Sequence, residues 1–572
     1  MFFRTFTLLL LLFNFLFTGL FAQSSFGDIV ISEIMSDPSP VVGLPEYEYI
    51  ELYNRTDDTI TLKSWSISTG NSIMLLDQAF IAPKAYLILS NQKAKFEFEK
   101  YGNFYGFTSF SINNENADIV LYNNSGRIIS AIDFNIELFR DSYKKEGGWA
   151  IERIDPDNKA NDANNWAASK DFKGGTPGSK NSVFAANADR TSPFLYRIAY
   201  IDNKTIKLNF SEGIDSTSLI NTDYYYCDND LGLPANIKLC PPYYDKVILE
   251  FKNLIKPGII YNLVISDSLK DWAGNYVDNL SAVSFAVPDT IKKNDIIINE
   301  ILSNPFSDGV DFVEIYNLSK RVLDLKYLLL CNFDSITGRL VSPAPVSDES
   351  YLIFPATYYV LTTRPDKIKK QYRTKNPNSF IKMKSFPQYN NDEGIVVIAN
   401  RNEYIIDIME YNAAMHYPLL SSRKGVSLER INFNISSLDK NNWHSAAESA
   451  GYATPAYRNS QAVELYDKGN ELNIYPEIFS PDNDGKDDVL SISYRFLESD
   501  YTGMLTIFDA QGRRVRLLLN NVTLGTEGIF FWNGMDDNYQ KVPAGIYIIY
   551  MEIFNLKGSK KQFKKTAIIA YK

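Results

Sequence analysis

The chain has 572 residues, a formal net charge of −10, three cysteines, two histidines and 14% aromatic residues. An acidic balance argues against nucleic acid as a generic ligand, because phosphates demand a basic face. Three thiols cannot build a disulfide framework, and two histidines leave little for zinc sites or acid–base triads. The length suits roughly three to five domains at about 100 to 200 residues each.

Residues 1–22 read as a cleavable signal peptide: Arg4 precedes an almost wholly apolar run from Leu8 to Phe21, and Ala22 offers a small residue for cleavage. No cysteine follows to take a lipid anchor, and no later run of about 18 apolar residues could span a bilayer as a helix. The expected location is secreted or at the cell surface. After the signal, short β-branched or aromatic runs recur between Asn, Asp, Gly, Ser and Pro clusters, as in Ile119-Val120-Leu121-Tyr122 and Ile546-Tyr547-Ile548-Ile549-Tyr550. Helical periodicity is weak, its best case being the charged stretch from Gln92 to Tyr101. The chain reads as all-β, a tandem array of β-sandwiches, with units at 28–181, 189–288, 295–459 and 470–572. The abundant Tyr and Phe are assigned to sheet cores, with sugar-binding platforms as the competing use.

The first and third units are copies of one module. Asp28-Ile29-Val30-Ile31-Ser32-Glu33-Ile34 returns as Asp295-Ile296-Ile297-Ile298-Asn299-Glu300-Ile301, and Tyr49-Ile50-Glu51-Leu52-Tyr53-Asn54 as Phe312-Val313-Glu314-Ile315-Tyr316-Asn317. Glu152-Arg153 matches Glu429-Arg430 and Trp166 matches Trp443; 429 − 152 and 443 − 166 both give 277. A large duplicated unit in one register marks an array of modules, and such arrays more often present surfaces than perform chemistry.

These residues carry three resemblances. The Ile-x-Glu-Ile openings, the Glu-Leu-Tyr-Asn and Glu-Ile-Tyr-Asn runs and the closing Trp and Thr-Pro signature resemble the lamin tail domain, an Ig-like β-sandwich also found in secreted bacterial proteins. Trp65 stands where such domains place an aromatic, with Leu328 or Leu329 there in the second copy. The 189–288 unit, from Thr191-Ser192-Pro193 to Leu269-Lys270-Asp271-Trp272-Ala273-Gly274-Asn275, resembles S-layer-type bacterial Ig-like domains. The last unit resembles the Ig-like domain of flagellar hook-assembly proteins and the C-terminal domain of type IX secretion cargo. Phe479-Ser480-Pro481-Asp482-Asn483-Asp484-Gly485, Trp532-Asn533-Gly534 and Val542-Pro543-Ala544-Gly545 carry that likeness, with Asn533 and Tyr539 departing from the usual pattern. The last resemblance implies export across the outer membrane and attachment at the surface.

Candidate chemistry is sparse. Asp482, Asp484, Asp487 and Asp488 crowd around Gly485, the arrangement a hard cation needs, but no bidentate Glu closes the loop; it reads either as a weak Ca2+ site or as a self-capped turn. Gly174-Gly175-Thr176-Pro177-Gly178-Ser179-Lys180 fails as a phosphate loop and reads as a domain-closing turn. Glu33 with Glu51, and Glu300 with Glu314, could form a glycosidase acid and nucleophile if folding brought them about 5 to 9 Å apart; inside apolar strands they more naturally accept hydrogen bonds. Cys227 and Cys240 could bridge or stay as small buried thiols. The lysines from Lys557 to Lys572 read as protection of final edge strands or as a recognition patch for a secretion apparatus or anionic polysaccharide. No catalytic residue and no certain cofactor is expected. The expected function is that of a non-enzymatic exported surface protein, adhesive or structural, whose partners are polysaccharide or protein, with a polysaccharide-binding accessory protein as the alternative and a hydrolase or nuclease ranked last.

Overall fold

The structure is a computed structural model describing residues 24–159, 163–278, 282–418, 420–463, 471–482 and 487–571. The expected signal peptide and Asp484 lie outside these residues. Among the described residues strands dominate, and the longest helix there, Pro365–Gln371, has seven residues.

Each module packs two sheets around its own core, as an all-β array requires. In the first copy a six-stranded sheet runs in the order Trp166–Ala168, Ile151–Arg153, Ile29–Met35, Tyr49–Asn54, Tyr86–Asn91, Phe104–Phe107, and faces a four-stranded sheet. The second copy repeats this with Trp443–Ser445, Leu428–Arg430, Ile296–Leu302, Phe312–Asn317, Tyr358–Thr362 and Phe380–Lys382. The Ig-like unit sets four strands against three, and the last unit three against five. Trp65 and Leu328 each enter the core of their copy, so Leu328 is the counterpart; Leu329 packs with Cys331 and Val397 in a separate cluster.

Ile29–Met35 and Ile296–Leu302 are buried along their whole length, whereas Gly545–Phe554 alternates between buried and half-buried positions. Alternation belongs to a sheet with one solvated face. The central strands of the two copies instead have both faces covered. Ile29, Ile31 and Ile34 point into the sandwich core, while Met35 joins Leu44, Tyr49, Ile88, Ala94 and Phe98 beneath the short helix Lys95–Phe98. The rest of that outer face is closed by the tail of the module.

The modules touch. Val322 and Leu352 of the second copy belong to the hydrophobic core of the Ig-like unit, and Glu349 pairs with Lys207 at 2.8 Å. The last unit docks on the second copy through Tyr417 Oη and Thr502 Oγ1 at 2.7 Å, His444 Nε2 and Asp500 Oδ1 at 2.9 Å, and the Thr526 N–H donating to Ser460 O at 2.6 Å. Tyr243 of the Ig-like unit donates to Asp118 of the first copy, and Phe26 stacks on Trp272 at 4.2 Å. Cys227, Cys240 and Cys331 are all free thiols.

Candidate functional site

The carboxylates singled out in the repeat come together as a row of three in each copy. Register places Glu33 opposite both Glu51 and Glu152, and Glu300 opposite both Glu314 and Glu429. All six are fully buried. A β-bulge between Ile31 and Glu33, repeated between Ile298 and Glu300, turns the first glutamate of each row onto the outer face.

What covers them is the module's own Thr-Pro tail. The Thr176 N–H donates to Glu33 Oε1 at 2.8 Å, the Gly178 N–H to Glu51 Oε2, and the Val183 N–H to Glu152 Oε2 at 3.1 Å. The Tyr49 and Ser182 hydroxyls donate to the same Glu33 Oε1 and Glu152 Oε2 at 2.6 and 2.8 Å, and the Ser32 hydroxyl donates to Glu51 Oε1 at 2.7 Å. In the second copy the N–H groups of Thr454, Ala456 and Gln461 do the same for Glu300, Glu314 and Glu429. Gly175 lets the tail come this close: a Cβ there would lie 2.4 Å from Glu33 Oε1. Asn181 and Asn459 lock the crossing, each donating to a carbonyl of the central strand and to one of the Glu-Arg strand.

Thr176 Oγ1 lies 3.2 Å from Glu33 Oε2 and 3.1 Å from Glu152 Oε1, so a single hydroxyl proton serves both carboxyls, an arrangement that favours a proton held between them. Burial, then the neighbouring Glu152 charge, pushes Glu33 up to about 8 and burial drives Glu51 well above the carboxylate range. Glu300 is likewise raised to about 8, and Glu314 and Glu429 are raised, with burial the leading cause throughout. Each row is thus a proton-sharing clasp closed by its own tail. Every oxygen of Glu33, Glu51 and Glu152 has its hydrogen-bond partner within the chain itself, so none faces a substrate opening as a glycosidase pair must.

The arginine beside each row is buried as well. Arg153 donates to Ile31 O and Asn158 O and has its guanidinium 4.9 Å from the centre of the Trp166 ring; burial pushes it down to about 10. Arg430 donates to Ile298 O and also pairs with Asp407 at 3.3 Å, where both side chains are nearly inaccessible. In the first copy the position of Asp407 is held by Ser130, whose Oγ accepts the Ile31 N–H at 3.1 Å.

At the predicted calcium loop, Ser480 Oγ donates to Asp482 Oδ2 at 2.8 Å and the Ser480 N–H to Asp487 O at 2.8 Å, while Asp487 has φ of 54°. Asp484 is outside the described residues, and Asp488 follows Asp487 in the chain. Among the described residues a group able to share an ion occurs elsewhere: carboxylate oxygens of Asp189, Glu212 and Asp271 lie within 4.8 Å of one another, where the first copy hands over to the Ig-like unit. Asp271 also accepts the N–H groups of Ala273, Gly274 and Asn275, so it is a turn cap in its own right. Sequence reading found that turn but not its partners, which lie 59 and 82 residues upstream (271 − 212 and 271 − 189). Lys560 to Lys565 lie on the long final strand Lys560–Ile569, with Lys560 paired to Glu552 at 3.0 Å.

Residues 22–135 match the family described as Lamin Tail Domain, and residues 473–569 match the CHU_C Type IX secretion signal domain. The chain therefore carries a lamin tail domain and a type IX secretion signal domain, which points to an exported or cell-surface protein. The lamin match ends before Glu152 and the Thr-Pro tail, which complete the clasp. No curated protein matches. Solved structures similar to the chain include the S-layer protein rSbsC(31-844), 10% identical over 66% of this chain and 54% of that one, TM-score 0.16. The tetra-tandem repeat in the extending region of a large adhesion protein is 10% identical, covering 95% and 99%, TM-score 0.14. Latent PorU from Porphyromonas gingivalis is 10% identical, covering 67% and 34%, TM-score 0.15. The chain spans 41 to 55% of the length of the S-layer structures it matches first. Likeness at these TM-scores has no weight for function. Among the described residues no helix is long and apolar enough to cross a membrane.

Proposed function

We propose that this is a non-enzymatic surface scaffold or adhesin: a row of β-sandwiches carried through the outer membrane by the type IX apparatus and held outside by its last domain. The observation that carries the reading is the match of residues 473–569 to the secretion signal domain. Its support is architectural. Both lamin-tail-type copies spend their most distinctive polar residues on clasping their own tails, which stabilises a rigid spacer and leaves no carboxylate of the rows for chemistry. Contacts between neighbouring units, such as Glu349 with Lys207 and Arg458 with Glu527 at 2.7 Å, favour a stiff rod segment over beads on a string.

Deleting residues 470–572 tests the export role. In cells making the truncated chain, protease added outside should no longer digest it, and the protein should accumulate within the envelope. Truncated protein that remains protease-accessible overturns the sorting role. The deletion also strips the partners of Tyr417, His444 and Arg458, so the second copy should lose some stability, in contrast to the full independence expected of a separate module.

A further inference from the structure

Between the second copy and the last domain lies a cleft of about 790 Å³. One side is the helix Pro365–Gln371 and the turn after it, contributing Lys369, Lys370, Arg373 and Lys375. The other is the edge strand Glu527–Trp532, contributing Ile529 and Phe530, with Tyr457 and Tyr494 also lining the space. None of the four cations makes an ion pair among the described residues. The carboxylate that does line the cleft, Glu527, is already taken by Arg458 at 2.7 Å and Arg495 at 3.1 Å.

Two comparisons show that the fold does not demand this charge. In the first copy the corresponding stretch from Gln92 to Phe107 sets Lys93, Lys95 and Lys100 against Glu97 and Glu99, and Lys95 pairs with Glu99 at 3.5 Å. A second cleft of about 710 Å³, between the Ig-like unit and the second copy, also touches Lys369, but it holds acids of its own that pair with nearby cations: Asp348 with Lys384 at 2.7 Å, and Glu349 with Lys207 at 2.8 Å and Arg197 at 3.6 Å. Of the two clefts, the one facing the last domain gathers four cations without an ion pair, and the one acid in its lining, Glu527, is already taken by Arg458 and Arg495. In a chain of net charge −10, such a gathering is a local reversal of sign, a place where an anion from outside is attracted.

We propose that this cleft binds an acidic polysaccharide, its carboxylate or sulfate groups held by Lys369, Lys370, Arg373 and Lys375 and its sugar rings packed against Tyr457 and Phe530. Aromatic faces are negative and apolar, so they suit the C–H faces of sugar rings, while cations at the rim fix the charged substituents. Lys375 stands over the Tyr457 ring, 5.1 Å from its centre, which brings a cation and an aromatic ring together in the cleft. This binding does not depend on the display role: it is read on purified protein, and display is read on cells.

The test uses the full chain without residues 1–22 and four probes: polygalacturonate, dextran sulfate, neutral dextran and single-stranded DNA. Polygalacturonate should bind, neutral dextran should not, and the affinity should fall about 10-fold or more between about 50 and 300 mM NaCl. The quadruple variant Lys369→Gln, Lys370→Gln, Arg373→Gln and Lys375→Gln should weaken binding about 10-fold or more with an unchanged melting curve. A charge-matched control, Lys560→Gln, Lys561→Gln, Lys564→Gln and Lys565→Gln on the last strand, should stay within about 2-fold of wild type. Tighter binding of dextran sulfate than of polygalacturonate, with the same loss in the cleft variant, assigns sulfate as the recognised group. Failure of both acidic polysaccharides to bind, equal losses in the two variants, or tighter binding of DNA overturns the proposal.

Discussion

The two lamin-tail-type copies share a sheet order, a bulge, a glutamate row and a tail that clasps it, yet they differ in where they place charge. The first balances its helical segment with Glu97 and Glu99 and leaves Arg153 buried on carbonyls and a Trp ring. The second loads its helical segment with unbalanced cations and gives Arg430 a buried partner, Asp407. A duplicated fold keeps what its packing requires, and its surface is free to diverge. The clasp is of the first kind, because six buried oxygens without donors would be costly. The cationic cleft is of the second.

The largest difference should appear in how the copies fail. Trp166 and Trp443 are both core residues, and Trp→Ala in a core costs about 3 to 5 kcal/mol. Trp166→Ala should lower the first transition alone. Trp443→Ala should also pull down the Ig-like unit, since Val322 and Leu352 of the second copy sit in that unit's core. Differential scanning calorimetry of the intact chain decides this, and a Trp443→Ala variant that leaves the Ig-like transition in place would break the coupling.

Asp407→Ala should cost about 3 to 5 kcal/mol, because it strands the buried Arg430 charge. Ser130→Ala in the first copy removes one neutral acceptor, worth about 1 kcal/mol. Similar losses from the two in urea titrations would mean that Arg430 gains nothing from its counter-charge.

The pH response should be common to both copies. Glu33 and Glu300 are raised from about 4.5 to about 8, so the folded chain holds protons that the unfolded chain has already released. That contribution is complete below about pH 4.5 and is lost as the pH rises toward 8, so stability should decline by on the order of a few kcal/mol between about pH 5 and pH 9. Glu33→Gln, which mimics the protonated carboxyl, should flatten the decline for the first copy only. Stability that instead rises over this range would show that the rows are held as carboxylates.

Much of the architecture was legible because its signals are local. Strand runs, turn residues and the register of the repeat depend on neighbours in sequence, and the glutamates, the Glu-Arg pairs and the Thr-Pro ends could all be aligned by counting. Thr176 and Thr454 were visible as matching turn residues. Their role was not, because nothing local says that a tail returns over 140 residues to cap Glu33 or over 150 to cap Glu300. Alternation also misleads at Ile29–Met35: a strand covered on its second face by its own tail carries buried carboxylates in place of exposed ones.

By itself the sequence determined the duplicated module, the all-β class and the secretion signal domain, since each is written in residue types at fixed spacing. Only the tertiary structure decided that the glutamates form proton-sharing clasps, that Leu352 serves a neighbouring core, and that Lys369, Lys370, Arg373 and Lys375 face Phe530 across a cleft. The reason is physical. Burial and charge pairing depend on distances through space between segments far apart in the chain, and those distances exist only once the modules have packed.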